Sequence, residues 1–207
     1  MAITVIREVT INAGKTKLIH SRVRRGSGIF ARHGAHVRLY QVAGGNGARN
    51  IMMQSHYASV SSAATAFQGY SNDPAWHELL EEIENNPAGD MSGPNMVRYI
   101  HGDAGQSAAP VVVIRMYEMA REKIAEVMKL TPRLDKMMSE LDVGVAAAVP
   151  VLSEDHQMMA AIYRFKSISH WGVSVDKMME STDFQTLVNE ANDLGTLKSS
   201  RLMTLMQ

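Results

Sequence analysis

The sequence predicts an α+β protein made of two tandem βαββαβ repeats whose antiparallel sheets close into a single-chain α/β barrel. Three observations lead there. First, the chain repeats itself. Sliding it by 106 positions lays Ala35–Tyr57 over Leu141–Tyr163 without a gap, matching Val37 with Val143, Met52-Met53 with Met158-Met159, and Tyr57 with Tyr163. A shift of 108 aligns Ile6-Arg7 with Ile114-Arg115, and Trp76, Leu79, Leu80 and Glu82 with Phe184, Leu187, Val188 and Glu190. Second, strand and helix signals come in the same order in each half. Third, a sheet with helices on one face leaves its other face bare, and a sister copy in the same chain can cover it.

In the first half, Ile3–Val9 alternates and is β-branched, which suits a strand. Gly14–Arg32 places Leu18, Ile19 and Val23 on one side of a helix weakened near Gly26 and Gly28. Ala35–Val42 and Ile51–Tyr57 read as strands joined through the hairpin-type loop Ala43-Gly44-Gly45-Asn46-Gly47. Ser59–Phe67 and Pro74–Glu84 read as helices, the second with Asp73 as N-cap and proline at the first helical position. Asn95–His101 closes the unit as a strand.

The second half repeats the order. Val111–Met116 is a strand. Glu118–Leu141 carries Ile124, Val127, Met128, Leu134, Met137, Met138 and Leu141 at helical spacing, with Pro132 expected to kink or interrupt it. Val143–Val149 and Gln157–Phe165 pair across Pro150–Asp155. Helices follow around Trp171–Met179 and Thr182–Asn192, and Arg201–Met206 is the last strand. Residues 1–102 thus form one ferredoxin-like repeat, 103–110 a Gly/Ala/Ser-rich linker and 111–207 the second repeat.

Composition excludes several classes. Lys+Arg and Asp+Glu each total 21 in 207 residues, so net charge points to no partner. The absence of cysteine excludes disulfides, thiolate metal sites and a cysteine nucleophile, and fits a cytoplasmic protein. The N-terminus lacks a basic region followed by a long apolar run, so no signal peptide is expected. The longest apolar run, Val143–Leu152, is too short to cross a bilayer and holds Gly144 and Pro150. There is no Walker-type loop, dinucleotide fingerprint, H-E-x-x-H or G-x-S-x-G.

Strand alternation indicates the interior. Val37 and Leu39, with Val143 and Val145, belong to the helix-facing side. The opposite face carries His36, Arg38, Tyr40 and Val42 in the first half and Asp142, Gly144, Ala146 and Ala148 in the second. Small residues opposite Arg and Tyr leave space for a ligand held by a few polar groups. The same arrangement also permits a structural Arg38–Asp142 ion pair.

His36 and His56 sit on adjacent strands of one hairpin and approach each other if they share a face. A histidine near its ordinary pKa, with Tyr40 as donor, could take a proton from an acidic phenol or enol. His33, His77, His101 and His156 read as surface or loop residues, and no metal-ligand spacing is present. Between Val9 and Asn72 the chain has eight Lys/Arg and no acid, whereas Asp73–Asp90 has six acids and no base. This asymmetry either steers an anionic substrate to the first helix or joins two helices on the surface. Nucleic acid is not favoured, because only Phe30 and Tyr40 offer stacking surfaces within the basic segment 15–49. The 16 methionines suit an irregular core or an adaptable apolar wall.

Asp73-Pro74-Ala75-Trp76-His77-Glu78-Leu79 resembles the acidic-Pro-x-aromatic-x-x-Leu helix of NIPSNAP-like and antibiotic-biosynthesis-monooxygenase-like members of the dimeric α/β-barrel superfamily. Its second copy, Ser181–Leu187, keeps the aromatic and the leucine. The resemblance implies a fused barrel that binds a small hydrophobic or aromatic ligand and transforms it by cofactor-free oxygenation, cyclisation or isomerisation. In that reading Arg38 holds an anionic oxygen, with Asp142 beside it, His36 or His56 moves a proton and Tyr40 orients the ligand. The superfamily also implies a haem-dependent alternative, with His170 or His20 as the axial ligand. A third reading is a non-catalytic interaction protein with a filled interior. Further assembly of the fused chain into a homo-oligomer is compatible with all three.

Overall fold

The computed structural model describes residues 2–105 and 107–206. The first repeat comprises β1 (Ile3–Val9), α1 (Thr16–Arg32), β2 (His36–Gly45), β3 (Ile51–Tyr57), α2 (Val60–Ser71), α3 (Pro74–Asn85) and β4 (Met91–His101). The second comprises β5 (Val111–Glu118), α4 (Ile124–Val127), α5 (Thr131–Ser139), β6 (Gly144–Leu152), β7 (Met158–Phe165), α6 (Ile168–Glu180), α7 (Thr182–Asn192) and β8 (Thr196–Leu205), with a 3₁₀ turn at Arg121–Lys123 before α4. The predicted helix 118–141 is therefore broken into short pieces. Pro132 stands at the start of α5, where its missing N–H costs nothing.

All strand pairs are antiparallel, and the strands close into one barrel in the order β1-β3-β2-β8-β5-β7-β6-β4. Each repeat contributes a four-stranded sheet, β4-β1-β3-β2 or β8-β5-β7-β6, and the sheets join at two seams, β2–β8 and β4–β6. Closure removes the free edges through which a sheet could add a further strand. Each seam carries a glycine in the left-handed region where a side chain would strike the partner backbone. A Cβ on Gly45 (φ +81) would lie 2.2 Å from the Ser200 carbonyl oxygen, and one on Gly102 (φ +60) would lie 2.7 Å from that of Val145.

The core has three parts. One lies between the first sheet and α1–α3, and includes Ile3, Val5, Ile19, Phe30, Met53, Tyr57, Tyr70 and Leu79, with Val37 and Leu39 packed against it. Its sister includes Val143, Met159, Tyr163 and Phe184, with Val145 packed against it. The third fills the barrel with Tyr40, Val42, Met52, Val112, Ile114, Ala146, Ala148, Ile162 and Met203 from both repeats. Tyr40 is 1% exposed and Met203 0%, so the small side chains of β6 are met by large ones rather than leaving a void at the centre.

The basic and acidic segments meet inside the molecule. Arg22 on α1 donates to Glu82 Oε1 on α3 at 2.9 Å and to the Asn86 carbonyl at 2.8 Å, and Arg25 also pairs with Glu82. Arg25 first and Arg22 second hold the Glu82 carboxyl below the usual carboxylate range. Asp73, the N-cap of α3, receives Arg32 at 2.9 Å and His33 at 3.0 Å. Hydrogen bonds from His33, Arg32 and the Ala75 N–H lower its pKa to about 2.

Candidate functional site

Four of the polar residues expected from the sequence, His36, Arg38, Tyr40 and His56, lie close together on β2 and β3. His36 and His56 are register partners across β2–β3, with ring centroids 6.2 Å apart. His56 is buried and its Nδ1 lies 2.7 Å from Thr4 Oγ1 on β1, which is 3.2 Å from the Tyr99 hydroxyl on β4. Burial first, then the charges of Arg38, His36 and Arg164, depress the His56 pKa to about 3. His56 is thus a neutral imidazole rather than the near-neutral base expected, because it is buried and arginines stand beside it.

Arg38 is 5% exposed and donates to the Ala104 and Gly105 carbonyls, while Arg164 on β7 donates to the Asp103 carbonyl. The linker therefore folds across the barrel end and lends its backbone oxygens to two guanidinium groups. Tyr40 donates to the Ala109 carbonyl at 3.2 Å, and burial keeps its pKa above the ordinary phenol value. Among the described residues, Arg38 Nε and His56 Nε2 are buried without a hydrogen-bond partner.

Asp142 takes no part in this cluster. It occupies a left-handed turn position (φ +57) before β6, its side chain is 73% exposed, and it pairs with Lys166 at 3.1 Å. The Arg38–Asp142 pair does not form, because the turn carries Asp142 out of the strand alternation. His101 is not a loop residue: it ends β4, pairs with Asp135 at 2.8 Å and lines a cavity of about 70 Å³ behind the second sheet. His77 and His156 are exposed, and His33 is the partly buried partner of Asp73.

Neither candidate axial histidine fits haem. Lys166 N–H donates to His170 Nδ1 at 3.0 Å, so Nε2 carries the proton and donates to the Leu141 carbonyl at 2.7 Å, leaving no lone pair for iron. His20 Nε2 is buried without a partner among the described residues, but its neighbouring groove is lined by Lys17, Ser21, Arg24 and Arg25 of the same helix. A tetrapyrrole needs apolar walls on both faces, and that groove has none. Among the described residues no cluster of three metal-ligating side chains occurs, and no helix is long and apolar enough to cross a membrane.

A second site lies where the sequence reading did not look, between the first sheet and α2. A cavity of about 420 Å³ is lined by Val5, Arg7, Tyr57, Val60, Ala63, Phe67, Gln68, Tyr70, Met96 and Leu152. Arg7 is 5% exposed on the helix-facing side of β1. It donates to the Tyr70 hydroxyl at 2.9 Å, and its guanidinium carbon stands 4.4 Å from the Phe30 ring centroid. Among the described residues no carboxylate pairs with it. Tyr57 is neutral, its pKa raised by burial despite the opposing pull of Arg7. At the mouth, Val60, Phe67 and Leu152 are 50%, 56% and 60% exposed.

The second repeat keeps the arginine–tyrosine pair. Arg115, aligned with Arg7, stands 5.7 Å from the ring of Tyr163, aligned with Tyr57, and burial lifts the Tyr163 pKa to about 12. The signal for the first site was present in the sequence: Arg7 is the lone charge on the face of β1 shared by Ile3, Val5 and Val9.

No protein-family model matches the sequence and no curated protein matches it, so the NIPSNAP-like resemblance of 73–79 rests on those residues alone. Solved structures do match along the whole chain. A proposed monooxygenase of Fusobacterium nucleatum superposes with TM-score 0.67 at 10% identity, covering 100% of this chain and 93% of its own. An anthrone oxidase-like protein gives TM-score 0.66 at 10% identity, covering 100% and 92%. A chlorite dismutase of Candidatus Nitrospira defluvii gives TM-score 0.55 at 11% identity, covering 100% and 91%. Such low identities speak to fold, and the chain shares with these proteins the α/β barrel of tandem ferredoxin-like units.

Proposed function

We propose that this protein binds and transforms a small hydrophobic or aromatic molecule bearing one acidic oxygen, held against Arg7 in the cavity beside α2. The observation that carries this reading is a buried arginine with no carboxylate partner at the wall of a ligand-sized, mostly apolar cavity. A buried cation without a counter-ion is costly, and an anionic ligand supplies one.

The chemistry follows from charge. A phenol or enol placed against Arg7 ionises more readily, because an opposite charge in a poorly solvated site favours its anion. Tyr57, kept neutral by burial, remains available to donate a hydrogen bond to that oxygen. The proton leaves to water through the open mouth. The resulting electron-rich anion is a common starting point for oxygenation by dioxygen, cyclisation and isomerisation, and forming it needs no cofactor. The likeness to structures described as a monooxygenase and as anthrone oxidase-like supports this class.

The test uses anthrone as probe, with calorimetry for binding and an oxygen electrode for turnover. Saturable binding and oxygen uptake, both lost in Arg7→Met, are expected. Equal binding by wild type and Arg7→Met, or no binding of anthrone and simple naphthols by either, would overturn the assignment.

A further inference from the structure

The barrel end carries a second binding site, separate from the cavity at Arg7 and argued from different residues. A cleft of about 320 Å³ lies between α1, β2, the end of the linker and the C-terminal end of β8. Arg24, Ser27, His36, Arg38 and Ser107 supply its polar groups, while Val37, Leu39, Leu205 and Met206 supply apolar wall.

Arg38 is the centre of the argument. It is nine-tenths buried, its Nη groups donate to the carbonyls of Ala104 and Gly105, it lies beside the Tyr40 hydroxyl, and its Nε has no partner among the described residues. Arg164 is treated the same way by the Asp103 carbonyl. Among the described residues neither arginine has a carboxylate partner. Backbone carbonyls carry partial charge only, so they leave the positive field of Arg38 and Arg164 uncompensated. That field reaches His56, whose own Nε2 is buried and unpartnered.

We propose that this cleft is an anion site for a phosphate group, free or as a small monoester, which competes with the linker carbonyls for Arg38. The Arg38 guanidinium, the His36 imidazole and the Ser107 hydroxyl line one cleft, while the Ser27 hydroxyl beside them donates to the Arg24 carbonyl at 2.8 Å. This matches a tetrahedral dianion better than a single planar carboxylate, and charge-assisted bonds to it are stronger than those to a carbonyl. The apolar wall beside the cations gives the organic part of an ester a place to lie.

Calorimetric titration of the full chain with inorganic phosphate and with phenyl phosphate, at constant ionic strength against chloride, tests the site. Wild type is expected to bind phosphate, His36→Gln to bind it several-fold more weakly, and Arg38→Gln about tenfold or more weakly. His36 is exposed, so its variant folds whatever becomes of Arg38→Gln. Histidine NMR of the wild type adds a readout without mutation. Phosphate should shift the His36 and His56 ring signals and raise the His56 pKa, since an anion would offset Arg38, His36 and Arg164. Thr4 and Tyr99, which also face His56, carry no charge to compete with this effect. Tighter binding of phenyl phosphate than phosphate identifies an ester, and equal binding a free ion; both support the site. No phosphate binding by wild type, or binding unchanged in both variants with His36 and His56 signals unmoved, would overturn it.

Discussion

Thr4 Oγ1 and His56 Nδ1 face each other across the β1–β3 ladder at 2.7 Å, joining the first strand to a buried imidazole whose other nitrogen has no hydrogen-bond partner among the described residues. The folded-state pKa of His56 is about 3, below the ordinary histidine value. Between those values the unfolded chain binds a proton that the folded chain refuses. The contribution is therefore fully present above about pH 6.5 and is lost as pH falls. Urea unfolding at pH 7 and pH 5 should show wild type losing about 2 kcal/mol from this residue, with the loss absent in His56→Gln. Identical pH profiles would refute the assignment of a buried, neutral His56.

Arg7→Met should separate binding from folding. A methionine fills much of the same volume, and replacing a buried charge by an apolar group is often neutral or stabilising, so stability should stay within about 1 kcal/mol. Affinity for an aromatic enolate or phenolate should fall about tenfold to a hundredfold, the worth of a charged hydrogen bond. Chemical denaturation and calorimetry on the same preparation read both numbers.

Gly45→Ala probes the β2–β8 seam. The added Cβ would sit 2.2 Å from the Ser200 carbonyl at φ +81, so either the strand shifts or the seam opens. Strain of this kind costs about 1–3 kcal/mol. Thermal unfolding should show the loss, and a melting temperature equal to wild type would contradict the close approach.

Met203→Ala tests whether the barrel interior is filled. Met203 is 0% exposed among Tyr40, Val42, Ile114 and Ala148. Truncation of a fully packed methionine should cost about 2–5 kcal/mol. A cost well under 1 kcal/mol would point to a loose interior with room for a ligand.

His170 offers a spectroscopic check. Both of its ring nitrogens are committed to backbone groups, so haem added to the protein should keep the absorption spectrum of the free compound. His170→Ala should instead lower stability by about 1–2 kcal/mol through the two lost hydrogen bonds. A new Soret band that disappears in this variant would move the protein to the haem branch.

Much of the fold was legible from local patterns. The internal register placed the repeats, and period-two alternation correctly put Tyr40, Val42, Ala146 and Ala148 on one face, which became the barrel interior. His36 and His56 share a face because the β2–β3 hairpin register sets them directly opposite each other, and that register is local. Asp142 was misplaced because its left-handed turn, a feature of three-dimensional chain reversal, takes it off the strand before alternation begins.

The tertiary structure decided the sites. Whether Arg38 meets Asp142, a ligand or the backbone depends on where residues 103–105 run after β4, which no spacing encodes. Arg7 and Arg115 look equivalent in sequence, yet Arg7 lines a cavity of about 420 Å³, whereas what the structure gives Arg115 is a stacking contact with the Tyr163 ring. Sequence alone determined the repeat, the closing faces and the composition of each wall, because these follow from short-range periodicity. Cavity volume, counter-ions and hydrogen-bond partners are properties of non-local packing, so they appear only when the chain is folded.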